Sequence, residues 1–159
     1  MTSNYLIIIT GASRGFGRAV ALSYAKLYNN VGDHVHYVLT SRKVQDLQIS
    51  KEDILEARKG CPVTTSFSLI EGDMGDVDKL EELAKNLFSE VDSVESVTTQ
   101  YKSIIFISNA GVLGPLSYVG THALVDINSA ISLNITGGTF LTSEFIRRWG
   151  NNGAAQVYE

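Results

Sequence analysis

Residues 6–17 are Leu6-Ile7-Ile8-Ile9-Thr10-Gly11-Ala12-Ser13-Arg14-Gly15-Phe16-Gly17, and this stretch decides the fold. The unbroken apolar run at its start is typical of a strand that is buried on both faces. After the glycines, apolar residues recur with helical spacing and are predicted to share one packed face; they are Phe16, Val20, Tyr24 and Leu27. A strand, a glycine-rich turn and a helix in this order predict the first unit of a dinucleotide-binding fold.

The three glycines of this stretch have different expected roles. Gly11 lacks a Cβ and can take the tight turn. Gly15 lets the backbone approach a pyrophosphate, Gly17 lets the helix pack close to the strand, and the free N–H groups of the helix start face the anion. The spacing Gly-x-x-x-Gly-x-Gly differs from the commoner Gly-x-Gly-x-x-Gly. An ordinary glycine-rich turn is the alternative, and the flanking strand and helix favour the cofactor loop.

Strand and helix patterns alternate along the rest of the chain. This predicts an α/β fold, a Rossmann-like doubly wound parallel sheet, with strand order 3-2-1-4-5. Further strands are expected at 34–40, 65–71, 103–108 and 154–158. Helices are expected at 44–59, from an N-cap at Asp76 to Phe88, and at 125–149. The polar segment 89–101 is predicted to be a surface connection.

Composition limits the classes of partner and site. The 159 residues are 44% apolar and 19% charged, as in one globular domain, and a net charge of −4 argues against nucleic-acid binding. No apolar run reaches the ~18 residues of a membrane span, and no secretory signal is expected at the N-terminus. Cys61 is the single cysteine, which fits a cytoplasmic protein without an internal disulfide. His34 and His36 share a strand face, but no carboxylate or cysteine cluster joins them, so no metal site is predicted.

Three segments resemble the short-chain dehydrogenase/reductase family. The first is the run from Thr10 to Arg18, which is most similar to the sepiapterin reductase branch of that family. The second is Ser108-Asn109-Ala110-Gly111, where the family usually has asparagine in place of Ser108. The third is 132–136, Ser-Leu-Asn-Ile-Thr, followed by Leu-Thr-Ser at 141–143.

The resemblance implies an NADPH-dependent carbonyl reductase that takes a pterin side-chain ketone towards tetrahydrobiopterin, or alternatively a general dicarbonyl reductase. A homodimer is expected for a complete member of the family. The catalytic Ser and Tyr-x-x-x-Lys of the family do not occur in these 159 residues. The chain is therefore expected to be a single NADP-binding Rossmann-like domain over 1–159, C-terminally incomplete and truncated in or near the fifth strand, without turnover alone. The alternative from a different class is a catalytically dead nucleotide-binding fragment.

The predicted NADP(H) site combines the glycine loop with the ends of three later strands. No acid follows the second strand, so Arg42 and Arg14 can pair with a 2′-phosphate and Ser41 can donate to it; a solvated Arg42 is the alternative. The resemblance places Asp73 and Met74 at the adenine, although an aspartate in a turn is nearly as plausible, and Asn109 to Gly111 at the ribose. The full set is Gly11, Ser13, Arg14, Gly15, Phe16, Gly17, Ser41, Arg42, Asp73, Met74, Asn109, Ala110 and Gly111.

Asn134 is the candidate catalytic residue. Helical spacing puts it within an apolar stripe, where a polar group needs hydrogen-bond partners; the stripe contains Ile127, Ile131, Gly138, Leu141 and Phe145. The resemblance implies that this asparagine holds a water of the proton relay, and a satisfied core asparagine is the alternative. Gly137 next to it is expected to permit a kink or close packing.

Overall fold

The computed structural model describes residues 3–28, 33–61, 64–94, 101–150 and 155–158. Five parallel strands form one sheet in the order β3-β2-β1-β4-β5. Their bounds are β1 Asn4–Thr10, β2 His34–Ser41, β3 Thr64–Glu71, β4 Tyr101–Ile107 and β5 Ala155–Tyr158. The predicted α/β class, the Rossmann-like sheet and its strand order are therefore confirmed.

Helices connect the strands. Their bounds are α1 Gly15–Leu27, α2 Val44–Ala57, α3 Leu80–Val94, α4 Leu124–Ile131 and α5 Gly138–Trp149. A single 3₁₀ turn, Val77–Lys79, precedes α3, and a π-helical turn, Ser132–Gly137, joins α4 to α5. No helix in these ranges is both long and apolar enough to cross a membrane.

Apolar side chains cover both faces of the central strands. On one face, α3 and α5 pack an aromatic cluster against the sheet; its members are Phe88, Phe106, Phe145 and Trp149. On the other face, α1 and α2 cover Ile7, Ile9 and Tyr37. Burial on both faces is the reason that β1 and β4 are continuous apolar runs rather than alternating ones.

The predicted packed face of α1 is only partly confirmed, because Val20 and Tyr24 are partly buried against the core while the other two residues are exposed. Phe16 is 73% exposed and Leu27 is 63% exposed, whereas the buried residues of the helix are Gly17, Ala21 and Ala25. Small side chains let the helix axis approach the sheet closely, so they occupy the face where large apolar residues were expected.

Two boundaries also differ from the sequence analysis. The predicted connection 89–101 is helical up to Val94 and becomes strand at Tyr101; residues 95–100 lie outside the described residues. Asp76 was expected to cap the next helix, but its side chain makes no capping hydrogen bond and instead pairs with Lys79 at 3.0 Å.

The predicted helix 125–149 is interrupted. The π-helical turn 132–137 inserts extra backbone into the helix, so residues before it are rotated relative to those after it. Leu141 and Phe145 are buried, whereas Ile127, Ile131 and Asn134 are exposed. The continuous apolar stripe that was expected to enclose Asn134 is therefore absent.

Candidate functional site

A cleft of about 290 Å³ opens at the carboxyl ends of the strands, where α/β folds bind their ligands. It lies at the switch point between β1 and β4. The cleft brings together twelve of the thirteen predicted cofactor residues, all except Gly17. The lining residues are Gly11, Ser13, Arg14, Gly15, Phe16, Thr40, Ser41, Arg42, Gly72, Asp73, Met74, Asn109, Ala110, Gly111, Val112 and Leu133.

The glycine loop forms one wall of the cleft. Gly11 and Gly15 have positive φ angles of 65° and 56°, a conformation that favours glycine. A Cβ added to Gly15 would meet no atom within 4 Å, so the loop borders open space there. Arg14 is the N-cap residue of α1, is extended, and makes no side-chain capping bond. The N–H groups of the first helical turn therefore point to an anion-binding position.

Gly17 lies behind this wall rather than in the cleft. It is buried, and an added Cβ would overlap the Gly11 carbonyl oxygen and the Asn109 side-chain nitrogen. Its role is the close contact between α1 and the strand ends, as the motif predicts.

Thr10 fastens the ends of β1 and β4 together. Its Oγ1 accepts the backbone N–H groups of Asn109 at 2.9 Å and Ala110 at 3.0 Å. The Asn109 side-chain nitrogen donates to the carbonyls of Thr10 at 2.9 Å and Gly11 at 3.2 Å. Sequence reasoning did not single out Thr10; the available signal was a threonine at the end of an otherwise apolar strand.

Two arginines line the cleft, Arg14 in the glycine loop and Arg42 after β2. Arg14 and Arg42 are exposed, and neither makes an ion pair with a carboxylate of the described residues. Thr40 beside them is only 2% exposed, and its Oγ1 has no hydrogen-bond partner among the described residues. The Ser41 hydroxyl donates to the Lys43 carbonyl at 2.7 Å, and its donation to a 2′-phosphate stays a prediction.

Asp73 and Met74 line the cleft after β3. The Asp73 carboxylate accepts the Gly75 N–H at 2.8 Å. It therefore stabilises a turn, which was the alternative to its predicted place at the adenine. Met74 is buried, and its backbone carbonyl lies so close to Gly137 that a side chain there would collide with it. Gly137 thus permits the close packing that was expected of it.

Asn134 is fully engaged with the loop that follows β4. Its Oδ1 accepts the Val112 N–H at 2.8 Å, and its Nδ2 donates to the Val112 carbonyl at 2.8 Å. It does not line the cleft, but its Oδ1 lies 3.4 Å from the position that a Gly111 Cβ would take. The π-helical turn therefore holds the wall formed by Gly111 and Val112.

Two histidines, His34 and His36, lie near the amino end of β2, at the edge of the sheet away from the cleft. The Ser66 hydroxyl lies 2.9 Å from His34 Nε2 and 2.6 Å from His36 Nδ1, and His36 Nε2 lies 3.1 Å from the Ser68 hydroxyl. Burial, with a smaller contribution from the neighbouring His34, lowers the pKa of His36 to about 4. Within the described ranges, no three His, Cys, Asp or Glu side chains form a group that could hold a metal ion.

Comparison with known proteins agrees with this geometry. A benzil reductase ((S)-benzoin forming) of Bacillus subtilis is 28% identical over 92% of this chain and 49% of its own length. The sepiapterin reductase of Rattus norvegicus is 29% identical over 91% of this chain and 52% of its own length. A metagenomic short-chain oxidoreductase, solved in complex with NADP, superimposes with a TM-score of 0.72 at 20% identity and covers 98% of this chain and 60% of its own.

The chain thus spans about half the length of the curated relatives it matches. The profile of the short chain dehydrogenases matches residues 5–157, nearly all of the sequence. The chain therefore belongs to the short-chain dehydrogenase/reductase family of oxidoreductases.

Proposed function

We propose that this chain is the cofactor-binding part of an NADPH-dependent carbonyl reductase. The observation that carries the proposal is that two exposed arginines, Arg14 and Arg42, line a cleft in which no acid occupies the residues 42–45 directly after β2. An acid at that strand end would favour the ribose hydroxyls of NAD, whereas arginines accommodate a 2′-phosphate. The single NADP-binding domain over 1–159 is part of the same proposal.

The residues of the cleft fit such a cofactor. Open space at Gly15 and the uncapped first turn of α1 suit the pyrophosphate. The buried Thr40 hydroxyl without a partner suits a polar group of the adenosine half. In this arrangement Asp73 and Met74 border the adenine end, and the segment 109–111 borders the ribose of the nicotinamide half.

When bound, NADPH supplies the hydride that reduces a carbonyl carbon. The residues of this chain would bind and orient it: the α1 backbone and the two arginines would hold the phosphates, and Thr10 fixes the ends of β1 and β4 beside the cleft. Asn134 positions the 111–112 wall through its two hydrogen bonds with Val112. Its predicted part in a proton relay stays a prediction.

For the substrate we propose a pterin side-chain ketone, which places the complete protein in tetrahydrobiopterin synthesis, with a dicarbonyl compound as the second candidate. Support comes from the sepiapterin reductase and the benzil reductase among the relatives, which match at nearly equal identity. A cytoplasmic location and a homodimer are proposed for the complete protein. A nucleotide-binding chain without turnover is the competing function, and a cleft that binds NADPH is equally consistent with it.

The test of the proposal is Arg42→Asp, with calorimetric binding of NADPH and NADH to the chain. Charge-assisted bonds contribute ~1.5–3 kcal/mol each, so we expect NADPH affinity to fall roughly ten- to a hundredfold while NADH affinity rises. Lys26→Asp, at the far end of α1, makes the same charge reversal away from the cleft and should change neither affinity. Unchanged affinities in Arg42→Asp would remove Arg42 from the site and with it the basis for NADPH.

A further inference from the structure

The turn that carries Arg42 is held in place by the neighbouring strand β3. The Gly72 N–H donates to the Ser41 carbonyl at 2.9 Å, and the Ser41 hydroxyl donates to the Lys43 carbonyl at 2.7 Å. On the far side of the turn, the Val44 N–H donates to the Glu71 carboxylate at 2.9 Å. The backbone is thus fixed before and after Arg42, whose own side chain is free of ion pairs with the described residues.

Glu71 acts as the cap of α2. Lys43 occupies the N-cap position but makes no side-chain capping bond, and Val44 is the first helical residue. Glu71 lies opposite Ser41 in the register of β2 and β3, and its carboxylate supplies the missing acceptor. A carboxylate at a helix N-terminus is stabilised by the helix dipole as well as by the hydrogen bond.

The same carboxylate could pair with Arg42 instead. Arg42 is only two residues before Val44 in the sequence, and among the described residues no ion pair joins its guanidinium to Glu71 while the carboxylate accepts the Val44 N–H. A carboxylate that moved to Arg42 would occupy a guanidinium otherwise available to an anion, and would place a negative charge near that anion. The hydrogen bond to Val44 keeps the two apart.

We propose that Glu71 is a positioning residue for 2′-phosphate selectivity: by capping α2 it is withheld from Arg42, which stays available to the phosphate. The inference rests on the proposed function, because it concerns the same cofactor. It assigns selectivity to a residue on β3 in addition to the arginines themselves. The substitution that isolates this effect is Val44→Pro.

Proline at Val44 removes the N–H that holds Glu71 and little else. The first helical position is the one where proline is favoured in a helix. The preceding Lys43 has φ −138° and ψ 119°, within the extended region that a following proline requires. The probes are adenosine 2′,5′-bisphosphate and 5′-AMP, whose affinities for the chain are measured by calorimetry. The two probes differ only in the 2′-phosphate, so the ratio of their affinities reports the contribution of that group.

In Val44→Pro we expect the ratio to fall roughly three- to tenfold, the range for competition from an exposed ion pair with an added like charge nearby. Adding Glu71→Gln to this variant should restore the ratio, because an amide cannot form the ion pair. Glu71→Gln alone keeps an oxygen acceptor for Val44 and should leave the ratio unchanged or slightly higher. Asp46→Asn, which removes another negative charge from the first turn of α2, is the matched control and should not rescue Val44→Pro.

A second route covers the case in which the proline variant does not fold. Glu71→Asp keeps the charge but is one methylene shorter, so it loses Val44 and should lower the ratio as well. An unchanged ratio in the folded variants, or a loss that Glu71→Gln does not restore, would overturn the proposal. Failure of the proposed function looks different: the unsubstituted chain would then bind both probes equally.

Discussion

At the carboxyl edge of the sheet, Arg14 and Arg42 are exposed beside a cleft, whereas at the amino edge Arg58 is only 5% exposed. Arg58 follows α2, and its Nη1 donates to the Ala25 carbonyl of α1 at 3.1 Å. Its Nε and Nη2 atoms are enclosed and make no well-formed hydrogen bond with the described residues, although burial raises the pKa of the nearby Tyr37 hydroxyl and an interaction with the guanidinium lowers it. Both edges therefore leave guanidinium donors unused, but in different surroundings.

The contrast between the exposed arginines of the cleft and the buried Arg58 shows when a guanidinium without an ion pair indicates a ligand site. At the cleft, the arginines accompany free helix N–H groups and open space, so an anion can reach them. At the amino edge the polar groups are enclosed by protein instead: Arg58, Asp33 and the hydrogen-bonded pair His36–Ser68 are all buried. An unpartnered charge there is a cost in stability, and it gives no sign of a ligand.

Among the substitutions at the carboxyl edge, Gly17→Ala is expected to have the largest effect on stability. The new methyl group would collide with the Gly11 carbonyl oxygen, which is backbone and cannot rotate away. Overpacking of this kind costs about 3 kcal/mol, and we expect that loss in the free energy of unfolding measured in urea.

Gly15→Ala in the same loop is the matched control for Gly17→Ala. Its methyl group would enter open space, so only the positive φ is penalised, by about 1 kcal/mol. It should instead weaken NADPH, because the methyl group occupies the space assigned to the pyrophosphate. Equal losses of stability in the two variants would contradict the contrast between Gly17 as packing and Gly15 as binding wall.

The pH dependence of the free energy of unfolding tests the buried groups of the amino edge. In the folded chain the pKa of His36 is lowered to about 4 by burial, below the ordinary value of about 6.5 that it regains on unfolding. The unfolded state therefore binds the proton more readily, and stability is lost as pH falls from about 6.5 towards 4. Between pH 7.5 and pH 5 the loss from this group is about 2 kcal/mol.

Urea unfolding at the two pH values measures this loss. His36→Gln should remove it, so the pH dependence of the variant is shallower by that amount. If His36→Gln were as pH-dependent as the unsubstituted chain, His36 would not be the group that titrates.

The features that the sequence predicted well depend on local patterns. The apolar runs of β1 and β4 indicate central strands, and the strand order was expected from the dinucleotide-binding fold that the glycine turn indicates. The turn at Gly11 and Gly15 needs backbone conformations that few residues besides glycine adopt. These requirements act within a few residues, so the printed sequence contains them.

The features that were missed depend on residues far apart in sequence. Glu71 caps α2 from 27 residues beyond Val44, and Thr10 accepts an N–H from Asn109, 99 residues away. Neither pairing leaves a periodic signal. The π-helical turn at Asn134 changes the spacing on which the apolar stripe was predicted, so helical periodicity misplaced that side chain.

The smallest expected effect sharpens the comparison between the two kinds of arginine. Arg58→Met replaces an enclosed guanidinium, which holds one carbonyl and no carboxylate, with an apolar side chain of similar length that adapts to its surroundings. Because removal of a buried charge relieves its desolvation, we expect the free energy of unfolding to stay within about 1 kcal/mol of its original value or to rise. Arg58→Ala, which leaves a cavity, should lower it instead. A loss of more than about 3 kcal/mol in the free energy of unfolding of Arg58→Met would mean that the buried guanidinium makes hydrogen bonds that stabilise the fold. Arg58 would then be a partnered group, and the contrast with the arginines of the cleft would rest on burial and not on unused donors.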